Sequence, residues 1–226
     1  MLQQLIKPGS ERFGPGPKRR TLMFRLHLQK EPGIFDRVND RDLTWALDQI
    51  IGEVRTVLGR ISPSEAESFI QELEKANRIF CFGAGRSGFV LRTFCMRLMQ
   101  LGFTVYYVGE TITPRIQPGD LLIAISGSGE TGHTCGLVKQ ALNRQARTVA
   151  LSAHRNSAIG ELADLILTIP GTTKLVLAKE EDSHQCAGSL FEQAAFLFLE
   201  AIVMQLFHLR LGRDQEQMLA RHADLE

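Results

Sequence analysis

Arg78-Ile79-Phe80-Cys81-Phe82-Gly83-Ala84-Gly85-Arg86-Ser87-Gly88 and Leu121-Leu122-Ile123-Ala124-Ile125-Ser126-Gly127-Ser128-Gly129-Glu130-Thr131 decide the fold. Each is a short apolar run that empties through a glycine-rich loop into a helical pattern. A strand ending in this way leaves backbone N–H groups of the helix start unpaired and aimed at one spot, where the helix dipole also favours negative charge. Two such loops predict an anion site, and a phosphate is the anion that fits.

Around the two loops the chain alternates. Strand candidates fall at 78–82, 103–108, 120–125, 147–152 and 165–169, and helices near 86–101, 131–145, 156–163 and 186–210. The strands are apolar along nearly their whole length, as strands covered on both faces must be, so the pattern predicts βαβ units. The fold class is α/β, a doubly wound five-stranded parallel sheet of order 2-1-3-4-5 flanked by helices. In that order strands 1 and 3 are neighbours and their helices leave toward opposite faces. The two glycine loops therefore meet at the crevice outside the strands' carboxyl ends. Gln117-Pro118-Gly119-Asp120 supplies a tight turn into the third strand.

Before the sheet, Leu43, Leu47, Ile50, Ile51, Val54, Val57 and Leu58 recur at helical steps over residues 40–60. Ser62-Pro63-Ser64-Glu65 reads as a capping box with proline at the first helical position, opening a helix to about residue 76. Residues 1–36 hold Pro8-Gly9, Gly14-Pro15-Gly16-Pro17 and Lys18-Arg19-Arg20, a basic Pro/Gly-rich leader read as disordered. Residues 37–226 form one domain.

The net charge of +1 conceals an asymmetry: residues 1–30 carry seven Lys/Arg and one acid, leaving 19 basic against 24 acidic residues in the remainder. A mildly acidic folded part argues against a nucleic-acid surface there. The four cysteines form neither a C-x-x-C pair nor a zinc-spaced Cys/His cluster, so free thiols in a reducing compartment and no metal are expected. The richest apolar stretch, 190–209, is interrupted by Glu192 and Glu200 and falls short of the roughly 18 uninterrupted apolar residues of a membrane span. No secretory signal pattern opens the chain. A cytoplasmic protein without a membrane or nucleic-acid partner is the expectation.

Gly83-x-Gly85-x-x-Gly88, with Glu110 after the second strand, also matches the dinucleotide fingerprint. A nucleotide fold leaves the second loop unexplained, because Ser126, Ser128 and Thr131 place three hydroxyls among glycine N–H groups. Hydroxyls and amides grip a phosphate monoester by directional hydrogen bonds. Glu192 opens a strongly apolar helix. Desolvation there raises a carboxyl's pKa toward the range of a neutral-pH base, while the helix N-terminus opposes the rise. The sequence leaves that balance open.

These loops resemble the sugar isomerase (SIS) domain, and more closely the 6-phospho-3-hexuloisomerase family. Further motifs carry the likeness: Met96-Arg97-Leu98-Met99, Val108-Gly109-Glu110, Gly188-Ser189-Leu190-Phe191-Glu192-Gln193 and His222-Ala223-Asp224-Leu225-Glu226. The chain departs from the family at Gln185-Cys186-Ala187, where Gln-Pro-Met is usual, and at Arg221 and Asp224 in the terminal motif. The resemblance implies isomerisation of D-arabino-3-hexulose 6-phosphate and D-fructose 6-phosphate through a cis-enediol, a step of the ribulose monophosphate route, with no cofactor. It assigns substrate binding to Ser87, Ser126, Gly127, Ser128, Gly129, Glu130 and Thr131, and the catalytic base to Glu192. His222 is implied as a second catalytic group if its tail orders over a neighbouring subunit, with His133, His154 and His184 as substitutes. A homo-oligomer is expected from the excess of apolar surface on helices 40–60 and 186–210, and the resemblance implies a tetramer or dimer. Two readings stay open beside it: another phosphosugar aldose-ketose isomerase, and a non-catalytic phosphosugar sensor.

Overall fold

The computed structural model describes residues 42–173 and 183–224; the predicted leader and the terminal Leu225-Glu226 lie outside these residues. Two helices, α1 (Leu43–Leu58) and α2 (Pro63–Lys75), precede β1 (Ile79–Gly83), α3 (Gly85–Gln100), β2 (Val105–Tyr107), β3 (Leu121–Ile125), α4 (Gly132–Asn143), β4 (Arg147–Ser152), α5 (Ala158–Leu162), β5 (Leu165–Thr168), α6 (Ser189–Leu211) and α7 (Gln215–Leu219). The sheet is parallel with order β2-β1-β3-β4-β5, as the alternation predicts.

Alternate residues along each strand face opposite layers. Ile79, Cys81, Ile123, Ile125, Leu151 and Leu167 pack under α1, α2, α3 and α6. Their neighbours Phe80, Leu122, Ala124, Ala150 and Ile166 pack under α4 and α5. With both layers covered, β3 is buried at every position, which is why polar alternation is missing from its sequence. Register holds Gly83 beside Ile125, so the two glycine loops leave the sheet side by side. At the opposite end, Arg78 donates to both oxygens of the buried Asp120 at 2.9 and 2.5 Å, fixing where β1 and β3 begin.

Local expectations were met unevenly. The 117–120 turn forms, with Gly119 at φ 87° and Asp120 N–H donating to Gln117 O. The capping box does not. Ser62 makes no side-chain cap, and Glu65 is drawn into a tertiary role, accepting from Thr168 N at 2.8 Å and pairing with Arg155. The second strand is three residues rather than six, cut off where Gly109 turns through φ 100°. The apolar stripe of α1 splits: Val54 and Val57 are buried, while Leu43, Leu47 and Ile51 face outward. α6 is the one described helix long and apolar enough to cross a membrane by length and mean hydropathy, yet eleven of its residues are buried within the domain. Cys81 and Cys135 are buried, Cys95 is half-buried and Cys186 is exposed, all as free thiols; burial pushes the Cys81 and Cys135 thiols up.

Candidate active site

Three helices point their N-termini at one place. α3 starts after Ala84, α4 after Thr131 and α6 after Gly188, and at none of the three does the capping residue's side chain bond the helix. An uncapped start keeps its first N–H groups available, and three of them around one space make it favourable for an anion. That space is a cavity of about 320 Å³ lined by Arg86 and Ser87 from α3, Ser126, Gly127, Ser128 and Thr131 from the second loop, and Gly188, Phe191 and Glu192 from α6. Its size sits at the lower end of ordinary small-molecule pockets.

Close backbone approach is built into both loops. A Cβ on Gly88 would overlap Gly83 O and the Tyr107 hydroxyl, so only glycine lets α3 lie this near β1. Gly129 has φ 73° and lies against Ser157, so a side chain there is strained and also collides. The second loop is further tied by hydroxyls: Ser126 Oγ and Thr131 Oγ1 are 2.9 Å apart, Gly129 N–H donates to Ser126 Oγ, and Ser152 Oγ donates to Gly127 O. Thr131 thus spends its hydroxyl on Ser126 rather than on capping α4.

Glu192 is buried at 6% exposure, in the first turn of α6. Arg86 Nε stands 2.6 Å from its Oε2, and Ser87 Oγ lies 3.5 Å from its Oε1, at the long limit of a hydrogen bond. A cation from α3 thus stands directly beside the carboxylate. The carboxylate, an arginine and a hydroxyl meet in one cavity with the hydroxyl-rich loop.

Of the residues predicted for the site, Ser87, Ser126, Gly127, Ser128, Thr131 and Glu192 come together. Gly129 and Glu130 do not line this cavity. Gly129 is buried, and Glu130 turns away to accept from Ala158 N at 2.9 Å, stapling the loop to the start of α5. His222 is placed elsewhere: Arg221 donates to Gln100 O and lies over Gly102, so the exposed His222 stands beside the C-terminal end of α3. Ser87 occupies the other end, about 20 Å along the helix at 1.5 Å per residue. Among the substitutes, His133 packs edge-on to Phe82 and His184 edge-on to Trp45, while His154 lines a separate cavity with Ser128 and Glu130. Glu110, the fingerprint's ribose acid, pairs with Arg92 at 2.5 Å.

Two supports have no signature in the sequence. Tyr107 donates to Gly83 O at 2.7 Å and accepts from Gly83 N at 3.2 Å, clamping the residue from which the first loop springs. Burial pushes its phenol up, against the bond with Gly83 and the charge of Arg92, which keeps it a hydroxyl able to donate. Glu53, from α1, accepts from Ser183 Oγ at 2.6 Å, His184 N at 2.9 Å and Gln185 Nε2 at 2.9 Å, holding the segment that leads into α6. Burial pushes its carboxyl up, but these three donors and the charge of His184 outweigh it and leave the group below its ordinary value. Among the described residues no group of three or more His, Cys, Asp or Glu is placed to hold a metal ion.

Comparison with known proteins identifies the class. The family model of the SIS domain matches residues 72–179. The chain is 38% identical over 178 residues to the 3-hexulose-6-phosphate isomerase of Bacillus subtilis, covering 79% of this chain and 96% of that protein. The chain belongs to the SIS family. Within it, the chain falls among the phosphosugar isomerases and groups with the 3-hexulose-6-phosphate isomerases. A crystal structure from Methanococcus jannaschii, described as inferring that activity, superposes with TM-score 0.68 at 33% identity, covering 80% of this chain and 99% of that one. A helix-turn-helix transcriptional regulator of Haemophilus influenzae is 34% identical over 108 residues, 46% of this chain and 38% of the regulator.

Proposed function

We propose that the chain interconverts D-arabino-3-hexulose 6-phosphate and D-fructose 6-phosphate, a step of the ribulose monophosphate route. The observation that carries this reading is the buried Glu192 carboxylate, set against Arg86 and Ser87 in the cavity that the hydroxyl-rich loop also lines. The relatives' shared activity supports it, and the regulator's partial match does not reach the whole domain.

The 6-phosphate binds at Ser126, Ser128 and Thr131 and at the open helix starts. Anchoring the remote end orients the C2–C3 unit, converting a loose encounter into a directed one. Glu192 removes the proton from C2 of the 3-ketose. The released electron pair forms the C2–C3 double bond, and O3 takes up a proton to give the cis-enediol. The O2 proton then leaves as the C2 carbonyl forms, and Glu192 returns its proton to C3. Arg86 and Ser87 stand where they can donate to the developing enediolate oxygens, the type of stabilisation that matters most in such steps. His222 can take part only from a neighbouring chain, because its own chain holds it at the far end of α3.

The test is product analysis after incubation with D-fructose 6-phosphate, with arabinose 5-phosphate in parallel. Formation of the 3-hexulose phosphate supports the reading. Turnover of the pentose phosphate alone assigns the site to a different aldose-ketose pair, and binding of either sugar without turnover makes the domain a sensor.

A further inference from the structure

Cys81 of β1 and Cys95 of α3 meet below the first glycine loop. Gly88 touches the strand, since a Cβ on it would overlap Gly83 O. Residues 88, 92 and 95 follow at helical steps of four and three on one stripe of α3, and the guanidinium of Arg92, the middle member, stands 3.7 Å from the centre of the Tyr107 ring. That stripe faces β1 and β2. Cys81 lies two residues before Gly83, hence on the same face of the strand, in register with Tyr107. Counted back from the close approach at Gly83 and Gly88, Cys81 is about 7 Å down β1 and Cys95 about 10 Å down the returning helix. Their thiols are in hydrogen-bond contact.

The two thiols differ in access. Cys81 is wholly buried, and burial holds it in the protonated form, whereas Cys95 is half-buried and open to a small solute. Neither of the other cysteines competes for Cys81: Cys135 packs in the opposite layer of the sheet, and Cys186 is exposed ahead of α6. A bond between residues 81 and 95 would close a ring around the whole of the first loop, including Arg86 and Ser87.

We propose that Cys81 and Cys95 are a site of reversible oxidation, forming a disulfide at the expense of a hydroperoxide and lowering turnover when linked. The Cys95 sulfur takes the terminal oxygen of the hydroperoxide as the O–O bond breaks, giving a sulfenic acid and releasing an alcohol, or water from hydrogen peroxide. The Cys81 sulfur then attacks the Cys95 sulfur, the S–O bond breaks, and the hydroxyl leaves with the Cys81 proton as water. Two electrons pass from the sulfurs to the peroxide. Bonded sulfurs sit about 2 Å apart, closer than sulfurs in hydrogen-bond contact, so the link pulls α3 against β1. Arg86 and Ser87 ride on the first turn of that helix, and a misplacement of about 1 Å costs on the order of 10²-fold in rate. The effect on turnover rests on the isomerase reading; the disulfide does not.

The test treats the full natural chain with hydrogen peroxide, maps its peptides without reduction, and assays D-fructose 6-phosphate turnover before and after dithiothreitol. The expected result is a linked peptide pair holding Cys81 and Cys95, turnover lower by at least tenfold, and recovery of both thiols and turnover on reduction. Cys95→Ala under the same treatment should keep its turnover. Mapping uses the natural chain, so it decides the matter even where Cys95→Ala fails to fold. Oxidation confined to Cys186, with Cys81 and Cys95 still open to alkylation after unfolding, overturns the proposal. A linked chain at full turnover, or equal inactivation of Cys95→Ala, overturns the control of turnover. A linked pair in a chain that turns over no phosphosugar in either redox state sinks the isomerase reading and leaves the oxidation site standing.

Discussion

The two glycine loops leave neighbouring strands of one sheet, yet they equip the site differently. The first, Gly83 to Gly88, is pinned at its root by the Tyr107 hydroxyl and delivers one cation, Arg86, and one hydroxyl, Ser87, to Glu192. The second, Ser126 to Thr131, is pinned by its own hydroxyls and by the β4 and α5 segments, and it offers only small groups to the cavity. In the reaction proposed above, one loop serves the reacting carbons and the other the phosphate. The same backbone device, a strand emptying through glycine into a helix, thus divides into a chemical half and an anchoring half.

Substitutions that separate turnover from binding break or sharpen this division. Glu192→Gln removes the proton carrier while keeping the shape, so kcat falls about 10²- to 10⁴-fold, the range of general acid–base catalysis, with phosphosugar affinity kept. Steady-state kinetics and calorimetric titration read the two quantities. Ser126→Ala with Ser128→Ala strikes the anchoring loop. Hydrogen bonds to a charged group contribute about 1.5–3 kcal/mol each, so KM rises on the order of tenfold or more while kcat changes less. If the pair lowers kcat as deeply as Glu192→Gln does, the loops do not divide the work.

Tyr107→Phe takes the hydroxyl from Gly83 and leaves its buried carbonyl and amide short of a partner. Stability drops by about 1–3 kcal/mol in denaturant titration. Turnover falls with it, because the root of the chemical loop loosens; a loss confined to KM would place Tyr107 with the anchor instead. Glu53→Gln has the smallest effect, about 1 kcal/mol at neutral pH for the loss of charge on its hydrogen bonds. The folded carboxyl lies below its ordinary value of 4.5, so its stabilising contribution is present above that pH and is lost as pH falls through the folded pKa. Thermal melts of the two proteins should differ at pH 7 and converge in acid below 4.5.

What could be read from the residues follows the same physics. The sheet order was legible because every strand is buried on both faces and each glycine loop is a local pattern of a few residues. Glu192, Ser87 and the Ser126-to-Thr131 loop were reachable, by resemblance and by their own chemistry. The Arg86–Glu192 pair was not, since it joins residues over a hundred positions apart and depends on how α3 and α6 lie. Tyr107 and Glu53 were hidden for the same reason: each acts through a contact far away in sequence. Glu65 misled because its spacing satisfies a local motif, while Thr168 and Arg155 claim its carboxylate. The outward half of the α1 stripe is periodic like any core face. Periodicity reports that a face is apolar, not which surface covers it.

Solvent deuterium exchange bears most directly on the central claim, that Glu192 carries a proton between adjacent carbons of a phosphosugar gripped at the neighbouring ends of β1 and β3. With D-fructose 6-phosphate in deuterated buffer, the natural chain should replace the carbon-bound hydrogen at C3, and Glu192→Gln should bind the sugar without doing so. Undiminished exchange in Glu192→Gln would contradict it.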